Sequence, residues 1–169
     1  PMDMAQVISV MTLTGTLHLA DGSVPLVPHA LDQAKELARH PWAKKAIQIL
    51  ASWWDSEESM EMSTSGSTGT PRWIQHPKAA IAASAMRTLA HFQLEPGASA
   101  ALAMPGEFVG GMMMLIRAVL GGLELHVLEP KLAPQFPPTY FDFVALTPAQ
   151  ARALCRDELQ VQRMAGWKT

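Results

Sequence analysis

Between residues 60 and 75 runs Met60-Glu61-Met62-Ser63-Thr64-Ser65-Gly66-Ser67-Thr68-Gly69-Thr70-Pro71-Arg72-Trp73-Ile74-Gln75. Met60-Glu61-Met62 alternates apolar and charged residues, and Trp73-Ile74-Gln75 is a second short extended piece. The Ser/Thr/Gly run between them therefore lies inside a fold. A flexible Gly/Ser linker is the plain alternative, but the chemistry of the run is more specific than a linker needs. Gly66 and Gly69 lack side chains, so backbone N–H groups there can approach an anion. Hydroxyls crowd the same stretch, and Arg72 closes it with a cation that forks onto phosphate oxygens. Thr64, Ser65, Gly66, Ser67, Thr68, Gly69, Thr70 and Arg72 thus describe a phosphate cradle. It is not a Walker A loop, because Pro71 falls five residues after Gly66, and it is not a G-x-G-x-x-G turn.

Downstream of the cradle the pattern alternates between helix and strand. Residues 78–94 carry Ile81, Ala85, Leu89 and Phe92 on one helical stripe, ended by Glu95-Pro96-Gly97. Short apolar strands are expected at 100–104, 124–128 and 143–146, with a helix over 109–120 stopped by Gly121-Gly122. Thr147-Pro148-Ala149-Gln150 reads as a capped helix start, and that helix is expected to run to about residue 158. Upstream, residues 6–19 alternate around Gly15 before the turn Ala20-Asp21-Gly22-Ser23, as one or two antiparallel strands would. Residues 30–54 form two tandem helices divided at Pro41, with Trp42, Ala46, Ile49, Leu50 and Trp53 on one core-facing stripe. The fold class is therefore α/β: a mostly parallel sheet flanked by helices. The expected division is residues 1–59, a strand pair and helices, and residues 60–169, an α/β subdomain incomplete at its C-terminal end.

Composition narrows the function classes. Of 169 residues 49% are hydrophobic and 17% charged, enough apolar surface to exclude a charge-rich disordered tail. The formal charge of -2 provides no basic field for nucleic acid or an anionic membrane surface. The apolar stretch 108–123 is interrupted by Arg117 and falls short of the roughly 20 residues a bilayer span requires. One cysteine, Cys155, excludes an intrachain disulfide and multi-cysteine metal sites, so a cytoplasmic location is expected. No metal ligand set is legible, and a homodimer is one assembly the sequence leaves open. Met112-Met113-Met114 reads as core, His76 as a cap or turn residue, and Cys155 as an inert residue in an apolar helix.

Thr64 to Arg72 closely resembles the phosphate-binding signature of the adenylate-forming (AMP-binding) ligases, T-S-G-[ST]-T-G-x-P-K. Every position fits except the last, where Arg72 stands for Lys. The succession of elements after the loop resembles that superfamily too, and the short N-terminal part is most similar to compact o-succinylbenzoate–CoA ligases of menaquinone biosynthesis. The resemblance implies the N-terminal part of a ligase large domain. It implies ATP, Mg2+ and coenzyme A, activation of a small-molecule carboxylic acid to an acyl-adenylate, and transfer to the CoA thiol. In that scheme the loop grips the β- and γ-phosphates.

Phe108, Gly110 and Gly111 stand where relatives place the acyl-substrate pocket. Phe108 reads equally as a core aromatic, and the two glycines as close-packing positions. The adenine-binding segments, metal-binding glutamate, hinge and adenylation lysine of the family lie beyond Thr169, so a missing C-terminal part is the expected partner and this chain alone is expected not to complete catalysis. A non-catalytic anion-binding or interaction module that keeps only the loop is the alternative.

Overall fold

The computed structural model describes residues 14–64 and 72–165. A five-stranded sheet is built from β1 (Thr16–Leu19), β2 (Gly22–Pro25), β5 (Ser99–Leu102), β6 (Glu124–Val127) and β7 (Phe143–Ala145), in the order β2-β1-β6-β5-β7. Only β2 is antiparallel; β1, β6, β5 and β7 run parallel. The alternation expected of parallel strands covered on both sides is plain in β5. Ala100 and Leu102 belong to the larger core, while Ala101 and Ala103 join a second, smaller one.

The larger core lies under α1 (Leu31–Leu37), α2 (Pro41–Trp54), α3 (Lys78–His91) and α4 (Val109–Gly121). Pro41 sits in the first turn of α2, where its missing N–H costs nothing, as the tandem-helix reading required. Helix α4 ends at Gly122, whose φ of 61° is the left-handed cap geometry that glycine adopts freely. Met112, Met113 and Met114 are all buried in this core. The smaller core joins Phe136 and Phe141 of the Pro-rich connection to Leu154 of α5 (Pro148–Leu154). Residues on both sides of position 59/60 share one sheet and the larger core: β1 pairs with β6, and α2 packs on α4.

Several sequence expectations need correction. Residues 6–13 of the expected N-terminal strands lie outside the described residues; the hairpin is formed by β1 and β2 around Ala20-Asp21. Helix α3 stops at His91; Phe92, expected on its buried stripe, is 54% exposed, and Gln93 after it turns the backbone at φ 51°. The last helix does not continue to 158. It breaks at Cys155, and Asp157 starts a second one, α6 (Glu158–Met164), by accepting from the Gln160 N–H. Cys155 is exposed rather than enclosed in an apolar helix.

Candidate phosphate and acyl site

The strands on either side of the Ser/Thr/Gly run are longer than the sequence suggested, and they pair with each other. β3 (Ser59–Thr64) and β4 (Arg72–Pro77) form a two-stranded antiparallel hairpin apart from the main sheet, in the register Ser59↔Pro77 to Thr64↔Arg72. Its inner face is set by Met60 and Met62, both buried, while Trp73 and Ile74 on β4 stay exposed. Thr64 and Arg72, the first and last residues of the expected cradle, are thus paired across the hairpin's end. Ser65, Gly66, Ser67, Thr68, Gly69 and Thr70 lie outside the described residues.

The far end of β3 meets the start of α4. Ser63, 2% exposed, makes an isolated parallel bridge with Phe108. Phe108 is the N-cap of α4 and lies beyond the carboxyl end of β5, across the turn Pro105-Gly106. Ligands of open α/β sheets bind outside the carboxyl ends of the strands. The first turn of α4 has no side-chain cap and no acidic residue, so the positive end of its dipole is not offset by a carboxylate of its own. Phe108, one of the three acyl-pocket candidates, is therefore brought directly beside the strand that leads into the cradle.

Gly110 and Gly111 differ from each other. A Cβ at Gly111 would sit 2.2 Å from the Pro105 carbonyl oxygen, so this glycine lets α4 lie against the Pro105-Gly106 turn. Gly110 is exposed, and a Cβ there would meet only the flexible end of Met104, at 3.1 Å. Gly110 thus borders Met104 at the exposed start of α4. Arg117, farther along α4, is half-buried with its Nε unpartnered, and burial pushes its guanidinium pKa down. His76 lies within β4 opposite Met60, not at a cap or turn.

Sequence reasoning missed one residue of this region. Lys78, the first residue of α3, is 3% exposed, and its Nζ donates to Asp55 Oδ1 at 2.7 Å and to the Asp55 carbonyl at 3.0 Å. The ammonium holds the Asp55 carboxyl below the usual carboxylate range. The available signal was a cation in the first turn of a helix, against the macrodipole.

No family model matches the chain, and no curated protein matches it. Among solved structures, the chain is similar to an acyl-CoA synthetase (AMP-forming)/AMP-acid ligase II-like protein from Dyadobacter fermentans DSM 18053, with a TM-score of 0.70 and 31% sequence identity. The match covers 79% of this chain and 41% of that one, so this chain spans about two fifths of its neighbour's length. The mostly parallel α/β fold is common to both. A second match, the inhibitor-bound N-terminal domain of FACL13 from Mycobacterium tuberculosis, has a TM-score of 0.36 and 23% identity over 49% of this chain and 20% of that one.

Proposed function

We propose that this chain is the phosphate-gripping N-terminal part of an acid–thiol ligase, which activates a carboxylate with ATP and passes the acyl group to coenzyme A. The observation that carries the reading is the Ser63–Phe108 bridge, which sets the strand leading into the T-S-G-S-T-G-T-P-R run against the uncapped start of α4. The likeness to a protein described as an AMP-forming acyl-CoA synthetase-like protein supports the same reaction class. ATP enters as its Mg2+ complex, in which the ion spreads the phosphate charge. The chain's own part is positional. Backbone N–H groups and hydroxyls of Thr64 to Thr70 hold the outer phosphates, Arg72 offsets their charge, and the α-phosphorus is left in line with the carboxylate.

The acid we propose is a flat aromatic carboxylate seated beside Phe108 and Gly110 at the start of α4, with o-succinylbenzoate first among candidates because the strand pair and Trp-containing helix ahead of the loop resemble those of o-succinylbenzoate–CoA ligases. The test is ATP–pyrophosphate exchange by the full-length protein carrying this chain, with a panel of aryl acids. Acid-dependent exchange of label into ATP is expected; a complete polypeptide that stays silent with every acid overturns the ligase reading in favour of an anion-binding module. Ser67→Ala with Thr68→Ala is expected to weaken inorganic pyrophosphate binding about tenfold or more, since hydrogen bonds to a charged group are worth roughly 1.5–3 kcal/mol. Unchanged affinity overturns the cradle.

A further inference from the structure

Resting on the phosphate-loop reading, we infer that Lys78 and Asp55 are a positioning pair, which closes the base of the β3–β4 hairpin and thereby sets how its far end, at Ser63 and Thr64, meets Phe108 and the start of α4. Asp55 follows the last residue of α2 and stands just ahead of β3; Lys78 directly follows β4. The Lys78 ammonium spans the two, bonding both the side chain and the main chain of Asp55, and the Lys78 N–H donates to the Glu58 carbonyl at 2.8 Å. The same Oδ1 also accepts from the Glu57 N–H at 3.0 Å, which orients the carboxylate. These bonds lie immediately outside the last ladder pair, Ser59↔Pro77.

Stability alone does not account for this arrangement. Burying an ammonium sacrifices its hydration, and a cation at a helix start opposes the dipole. The partner carboxylate is 44% exposed, so water screens the attraction. An apolar side chain of similar length would pack there at no such cost. What an apolar chain cannot supply is direction: a donor shared between Oδ1 and the carbonyl of one residue fixes the end of α2 relative to the start of α3. The hairpin is a sheet of only two strands, held to the larger core through Met60 and Met62 and to the main chain at its base, so its tilt depends on how that base is tied. A small tilt at its base is carried along six residues of β3 to Ser63 and Thr64.

The experiment measures inorganic pyrophosphate affinity by calorimetry, and Tm, for the full chain and three variants. Lys78→Met is expected to keep Tm or raise it while weakening pyrophosphate binding about tenfold. Asp55→Asn, which keeps the main-chain acceptor, is expected to weaken it about threefold and carries the test by itself if Lys78→Met does not fold. Leu154→Ala, in the smaller core, is expected to lower Tm and leave the affinity alone. Unchanged affinity in the Lys78 and Asp55 variants overturns the pairing role while the loop reading stands. A loss matched by Leu154→Ala overturns it as well, since the effect then follows general destabilisation. If the unaltered chain binds no pyrophosphate, the loop reading fails first and the positioning role falls with it.

Discussion

His126 illustrates how much of a single residue's chemistry is set by neighbours that sequence cannot place. Its ring stacks on His18 with centroids 4.2 Å apart and meets the edge of Phe141 at 5.1 Å. His18 in turn lies 2.7 Å from Glu124, whose other oxygen accepts from the Thr16 hydroxyl. Burial pushes the His126 pKa below its ordinary 6.5, the nearby His18 pushes the same way, and Glu124 opposes them. A histidine with a depressed folded pKa binds its proton more readily when unfolded, so its contribution to stability is complete above about pH 6.5 and is lost as pH falls through the folded value. Urea midpoints are therefore expected to fall between about pH 7 and pH 5.5, and His126→Gln to flatten that slope. An unchanged slope would assign the acid sensitivity elsewhere. None of this was legible in the sequence, because Thr16 and His18 meet Glu124 across separations of 108 and 106 residues.

At the scale of an element, the first turn of α4 separates two glycines that look alike on paper. Gly111→Ala drives a methyl into the Pro105 carbonyl and is expected to cost about 2–3 kcal/mol, read as a lower Tm. Gly110→Ala meets only a movable methionine end and is expected to be neutral to slightly stabilising, since alanine favours helix. If Gly110 also borders the acyl site, its variant should keep Tm while altering the KM for the acid. Equal destabilisation by both changes would refute the distinction. Local chemistry of this kind is partly legible. The capping box of Thr147 and Gln150 forms as its spacing predicts, with Gln150 also donating to the carbonyls of Ala103 and Lys131. The second start at Asp157 was overlooked because Cys155 and Arg156 carry no breaker residue, although Asp three before Gln160 is itself a capping pattern.

Across the whole molecule, periodicity revealed which segments are strands and helices but not which strands are neighbours. Residues 6–19 read as one or two antiparallel strands, yet β1 within them also extends the parallel sheet through β6. The larger core runs from Leu17 and Trp53 to Leu115 and Val127, on both sides of the expected division after residue 59. Unfolding in urea is therefore expected to be one transition, coincident by tryptophan fluorescence and by far-ultraviolet circular dichroism. Two separated transitions would show that the N-terminal part folds independently.

The pairing of β1 with β6 also imposes a schedule. Residues 16–18 align with 124–126, so the first described strand to leave the ribosome waits for partners synthesised 108 residues later. At ordinary elongation rates that delay is on the order of 5–20 s. Throughout it, β1 has no strand partner but β2, and α1 and α2 are the first helices made that can cover Leu17, Leu19 and Val24. The 16–25 hairpin therefore finds its place long after it is made, and a chaperone at the ribosome exit would have that interval in which to act on it.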